Sequence, residues 1–163
     1  MFLDAIRRLY DYQHEVTDHV LDVSTQLSNE EFVSIVVEGQ PSIRDTLFHP
    51  IEVLETHFVW WNFSTDRQAP EIIEHLPLQY IDAESISIYW RAVDEKVVRL
   101  IGSLGSGAQL ELPYVRAFPN GSENRRLFWE MLLHVVNHGT QHRSEVAMML
   151  TVLGRSPGDM EIL

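Results

Sequence analysis

Four long stretches of this chain carry apolar residues at alternating three- and four-residue steps. That rhythm restricts the fold more than any other feature, because only a helix of about 3.6 residues per turn gathers such positions on one face. The first stretch covers about 2–27 and is marked by Leu3, Ile6, Leu9, Tyr10, Val16, Val20 and Leu27. It ends at Leu27-Ser28-Asn29, and 30–37 reads as a further short turn. The second covers about 41–62, where Ser42-Ile-Arg-Asp45 has capping-box spacing with Asp in place of the usual Glu. Pro50 lies inside it, so a kink or a break into two helical pieces is expected there. The third covers about 83–104, with Ile86, Tyr89, Trp90, Val93, Val97, Leu100 and Ile101 as its stripe, and Gly102, Gly105 and Gly107 end it. Residues 108–122 alternate apolar and polar positions and close on a Pro119-Asn-Gly-Ser122 turn signal, which predicts a small hairpin excursion. The fourth helix is expected from about Glu123 to Leu153, stopped by Gly154 with Pro157 behind it. The sequence therefore predicts an all-α chain, a four-helix bundle with a short irregular or hairpin excursion before the last helix, forming one domain over residues 1–163.

Charge and cysteine content remove several function classes. Twelve Lys+Arg against 24 Asp+Glu give a formal charge of −12. Binding to nucleic acid or to an anionic membrane surface calls for the opposite sign, so neither partner is expected. The absence of cysteine excludes disulfides, thiolate metal ligands and a cysteine nucleophile, and suits a cytoplasmic setting. The opening residues, broken by Asp4, Arg7 and Arg8, lack the apolar core of a secretion signal. No uncharged apolar run has the length of a membrane span.

The chemistry lies in histidines. Eight histidines in 163 positions give by chance about 0.4 pairs at a spacing of four, yet the fourth helix holds two overlapping ones, His134/His138 and His138/His142. Two imidazoles four residues apart stand one above the other on a helix and can share one ion. On a helical projection His138 and His142 fall in the stripe of Met131, Val135, Met149 and Leu153, so they are expected to face the core, with Val136 and Gly139 turned elsewhere. Apolar neighbours offer nothing to several imidazole nitrogens, whereas a cation satisfies them together. A third ligand must come from another helix. His49 lies on a stripe with Ser42, Val53, Thr56 and Trp60 and is the third candidate, with His57 in reserve; His14, His19 and His75 are assigned no metal role.

The strings Ser42-Ile-Arg-Asp-Thr-Leu-Phe-His49, Trp60-Trp61 and His134-Val-Val-Asn-His138-Gly-Thr-Gln-His142-Arg143, with the tail Leu153-Gly-Arg-Ser-Pro-Gly-Asp159, resemble the DinB-like (DinB/YfiT) superfamily. The resemblance covers essentially the whole chain. It implies a four-helix bundle, often a homodimer, in which His49, His138 and His142 hold one divalent ion, Zn²⁺ or Ni²⁺ being favoured. Some members look like metal-dependent transferases or isomerases that use low-molecular-weight thiols. Where many members carry Gly-Gln after the His-Arg pair, this chain has Ser144-Glu145. Glu145 is a candidate partner of a ligand, an occasional ligand, or an ion-pair partner of an arginine across the bundle; the last two are preferred.

Three imidazoles leave a divalent ion with open positions, as catalytic sites do and structural sites do not. The expectation is a metal-dependent transferase or hydrolase acting on a small molecule, possible thiol chemistry having to arrive with that molecule. The alternative is a non-catalytic, dimeric metal-binding stress or interaction protein, and an accessible cavity beside the ion separates the two. Arg143 is a candidate anchor for an acidic substrate or, preferably, half of a structural ion pair. Trp60, Trp61, Phe63, Tyr89 and Trp90 either line such a cavity or, preferably, fill the core or a dimer interface. The glycines at 102–107 lack a P-loop Lys-Ser/Thr, and no nucleophile elbow, His-Glu-x-x-His or EF-hand spacing occurs.

Overall fold

The first apolar stretch forms α1 (Phe2–Ser24), whose buried stripe includes Leu3, Ile6, Tyr10, Val20 and Leu21. The computed structural model describes residues 1–66, 75–118 and 120–161, without the side chains of residues 63, 65 and 66. A short α2 (Asn29–Val33) follows. Ser28-Asn-Glu-Glu31 starts it with a capping box that the sequence reading of a short turn over 30–37 did not identify: the Glu31 N–H donates to Ser28 Oγ at 3.3 Å, and the Ser28 N–H donates to the Glu31 carboxylate at 2.8 Å.

The second apolar stretch is α3 (Ile43–Asp66). Ser42 opens it. Its Oγ accepts the Asp45 N–H at 3.1 Å and donates to the Asp45 carboxylate at 2.8 Å, so the shorter Asp closes on the hydroxyl. Pro50 does not break α3 in two; the helix is continuous across it. A proline in a helix interior costs about 3 kcal/mol. Leu47, Ile51 and Leu54 flank it, all buried, and each contributes roughly 1.5–3 kcal/mol by leaving water. Burial on both sides outweighs one lost hydrogen bond.

The third stretch is α4 (Ala83–Ser103), capped by Asp82, which accepts the Ser85 N–H at 2.8 Å. The excursion is a hairpin of β1 (Pro113–Ala117) and β2 (Glu123–Leu127), antiparallel, with Tyr114 opposite Arg126 and Arg116 opposite Asn124. The expected start of the last helix at Glu123 is therefore corrected: residues 123–127 are a strand, and α5 runs Phe128–Val152. Glu123-Asn-Arg-Arg supplies no buried apolar side chain to anchor a helical turn. The Glu130 carboxylate takes the Leu127 N–H at 2.7 Å, which sets the first turn after the strand. At the far end Gly154, at φ +75°, permits the Arg155 N–H to close on the Leu150 carbonyl at 2.8 Å.

The four long helices form a ring. α5 packs on α1 and α3, and α4 packs on the same two. Of the long helices consecutive in the chain, α3 and α4 are neighbours, whereas α1 and α3, and α4 and α5, lie across the bundle from one another. Trp61, Tyr89 and Trp90 are core residues, Trp61 stacking on the fully buried Phe128 with ring centroids 3.5 Å apart. The side chain of Phe63 lies outside the described residues. Ser64 ties the hairpin to α3 by accepting the Val115 N–H at 2.7 Å. Among the described residues no helix is long and apolar enough to cross a membrane.

Candidate metal centre

Because α3 and α5 are neighbours in the ring, the histidines they carry meet. His49 Nε2 lies 3.2 Å from His138 Nε2, and His138 Nε2 lies 3.2 Å from His142 Nε2. One ligand atom from each of the three falls within 4.8 Å of the others. The nitrogens of a tetrahedral site with Zn–N bonds of roughly 2.0–2.1 Å stand about 3.3 Å apart, so the separations fit a single ion. Hydrogen bonding fits less well, since one N–H on His138 can be aimed at only one of its two neighbours. Burial and the imidazoles of His142, His49 and His134 push His138 down to about 4, so its ring is neutral at pH 7, the form that ligates.

The surroundings correct two expectations about helix faces. His49 is exposed, and His138 and His142 are half-buried; none lies in the core. On α3 the buried stripe is Ile43, Leu47, Ile51, Leu54 and Trp61, nearly opposite His49. On α5 it includes Leu132, Val136, Gly139, Arg143 and Val146, with the histidines on its edge. Val136 and Gly139, expected to point away, face inward. A stripe drawn through the histidines misplaced the centre of the buried face, because Gly139 and Arg143 do not look like core residues in a sequence. The triad instead sits in the open seam between α3 and α5, where outside molecules can reach it.

Glu145 is the hydrogen-bond partner of His142, one of the three candidate ligands. Its Oε2 is 2.7 Å from His142 Nδ1, and Gln141 Nε2 donates to its Oε1 at 3.2 Å. A carboxylate acceptor requires the proton on Nδ1, so the neutral His142 ring presents a bare Nε2 to the common point. The pairing with an arginine across the bundle does not form among the described residues, where the ion-pair partner of Glu145 is His142. Arg143 points to the other side. It is buried between α5 and α1, donating to Thr140 Oγ1 at 3.0 Å and Thr17 Oγ1 at 3.4 Å, with no carboxylate within 4 Å among the described residues. Burial lowers its guanidinium to about 10. The ion pair expected for it is replaced by hydroxyl contacts, and it does not face the triad.

His57, the reserve ligand, does not join the triad. It sits two turns beyond His49, with Nδ1 2.7 Å from the Tyr114 hydroxyl. Its ring lies 5.5 Å from that of His134, which in turn lies 5.8 Å from that of His138. Burial chiefly, then His134 and Arg116, push His57 down to about 4. No local signal marks the hairpin as closing over these two rings. A cavity of about 320 Å³ lies there, lined by His57, Tyr114, Arg116, Arg126, Glu130 and His134 among others. His14 pairs with Asp94, His19 Nε2 meets the Pro157 carbonyl at 2.6 Å, and His75 lies against Tyr80.

The DinB family model matches residues 1–163 of the chain. None of the curated proteins matches it. Among solved structures it is similar to a DinB-like protein from Bacillus cereus ATCC 10987, with a TM-score of 0.69 and 17% identity over 96% of this chain and 95% of that one. It is also similar to a conserved protein from Enterococcus faecalis, with a TM-score of 0.63 and 11% identity over 90% of this chain and 95% of that one. At such identities the likeness concerns the fold, which both share with the bundle described above. With a family match along its whole length, the chain belongs to the DinB family.

Proposed function

We propose that the protein is a metal-dependent enzyme of the transferase or hydrolase type, with one divalent ion held by His49, His138 and His142. The observation that carries the proposal is the convergence of three Nε2 atoms at 3.2 Å steps in a solvent-open seam, with the orientation of His142 fixed by Glu145. When bound, such an ion supplies a Lewis acid that makes a water or a thiol nucleophilic near neutral pH. The residues of this chain do the rest. His49 and the α5 pair would hold the ion, and the exposure of His49 leaves the site open to a substrate. His138 stays neutral through its surroundings, and Glu145 holds the proton of His142 on Nδ1. The cavity beside His134, one helical turn from His138 though lined by none of the three triad residues, supports an enzyme over a passive metal store, since its volume and its mixed apolar and polar lining are those of a small-molecule site.

The absence of cysteine makes a clean test available. Protein loaded with Co²⁺ in place of the native ion should show visible bands of low-coordinate cobalt. Adding a small thiol should then produce a sulfur-to-cobalt charge-transfer band, which cannot originate from the protein itself. Failure to take up cobalt overturns the metal-dependent reading. Uptake without a thiol band removes the thiol transferase and leaves the hydrolase.

A further inference from the structure

In this acidic chain most cations are neutralised by a neighbouring carboxylate. Arg44, Arg91, Arg99, Arg125, Arg155 and Lys96 each have one within 4 Å. Arg116 and Arg126 have none among the described residues, and both line the same cavity. The hairpin puts them there. Residues two apart on a strand share a face, and the register sets Tyr114 opposite Arg126 and Arg116 opposite Asn124, so both arginines project from one side of the ribbon. Arg116 otherwise lies over the Phe118 ring, 5.4 Å from its centre, and Arg126 donates to the Arg125 carbonyl at 3.1 Å. The acid in this cavity, Glu130, has one carboxylate oxygen on the Leu127 N–H and lies more than 4 Å from both arginine head groups. A separate, smaller cavity of about 180 Å³ shares His57 and Arg116 with it and borders Glu52 and Val53, one turn beyond His49 on α3.

We propose that the cavity under the hairpin is the subsite for the carboxylate of a small organic acid, held by Arg116 and Arg126, whose other end reaches the histidine triad. Guanidinium groups match carboxylates with paired, charge-assisted hydrogen bonds. His134 joins the two sites: it lines the cavity and lies one helical turn, about 6 Å, before His138. The overall charge of −12 does not forbid an anion here, because at physiological salt charges beyond about 8 Å are largely screened and the two unpaired arginines dominate locally. The substrate class is thus a small acid carrying a second donor group, such as a thiol or hydroxyl, several bonds from its carboxylate. The inference rests on the proposed metal-centre reading for the role of that second group; the acid-binding subsite itself does not depend on it.

The test uses full-length, ¹⁵N-labelled protein titrated with glutarate, and with glutaramide as the neutral control, while the arginine Nε–Hε resonances are followed. Glutarate should shift the Arg116 and Arg126 resonances saturably in both zinc-loaded and zinc-free protein, and glutaramide should not. Arg116→Gln with Arg126→Gln should weaken glutarate by about tenfold or more, the loss of charged hydrogen bonds worth at least 1.4 kcal/mol. Arg125→Gln, which removes a neighbouring charge already paired with Glu123, should leave the affinity unchanged. Glutarate binding that persists in the double variant, weakens equally in Arg125→Gln, or appears only with zinc present overturns the proposal. Zinc content of the same samples separates the two readings: retained glutarate binding in a protein that takes up no zinc sinks the metal centre and leaves the acid subsite standing.

Discussion

His142 and Glu145 face each other one turn apart on α5, with Nδ1 and Oε2 separated by 2.7 Å. The carboxylate fixes both the tautomer and the tilt of the ring, so it should govern metal affinity without touching the ion. Glu145→Gln is expected to weaken zinc binding by about 10–100-fold. Competition with a chromophoric chelator measures this, and an unchanged affinity would show that the ring is held by packing alone.

His138 stands at the centre of the triad, 3.2 Å from each of the other two. His138→Ala should reduce zinc from about one ion per chain to under roughly a tenth. Helix content should survive, because the ring lies at the edge of the buried face and is half-exposed. Metal analysis together with circular dichroism checks both parts. A collapse of helicity would mean that the imidazole is a core residue after all.

His57 gives the fold a pH dependence. Its folded-state value is lowered to about 4, principally by burial, while the unfolded chain takes up the same proton near 6.5. Between those values the unfolded state binds more protons, so this contribution is complete above about pH 6.5 and is lost as pH falls toward 4. At pH 5 the loss is on the order of 2 kcal/mol. His57→Gln keeps a hydrogen-bond partner for Tyr114 and removes the titration. Urea midpoints at pH 7.5 and 5 should fall further for the wild type than for the variant; equal losses would place the sensitivity elsewhere.

At Gly139 the backbone of α5 lies close against the polar side chains of Arg143 and Gln13. A Cβ there would stand 2.7 Å from Arg143 Nη1 and 3.1 Å from Gln13 Oε1, a buried oxygen without a hydrogen-bond partner among the described residues. Alanine gains about 1 kcal/mol of helix propensity, but the overpacking costs about 1–3 kcal/mol. With Arg143 held by two threonine hydroxyls, the cost should prevail. Gly139→Ala is expected to lower the melting temperature by a few degrees, about 2–4 °C per kcal/mol at this chain length. A rise would show that the guanidinium moves aside.

The sequence alone determined where the helices lie, because helical periodicity and capping are local. Ser42 with Asp45, Asp82 with Ser85, and Gly154 act within a few residues of their own position. The spacing of four also marked His138 and His142, since it stacks side chains whatever surrounds the helix; His49 has no histidine at that spacing on its own helix, and its place beside them was implied by the family resemblance. Local signals did not decide which helices become neighbours. The ring order sets α3 beside α5, and from that follows the meeting of His49 with the α5 pair. Tertiary packing likewise kept α3 whole across Pro50, and strand pairing made residues 123–127 a hairpin arm despite their weak β character. It turned the histidines to an open seam by giving the inner face to Gly139 and Arg143. It also folded the hairpin over His57 and His134, bringing Arg116 and Arg126 beside a site that lies on other elements. Burial and pairing between distant segments are long-range energies, and no short window of residues contains them.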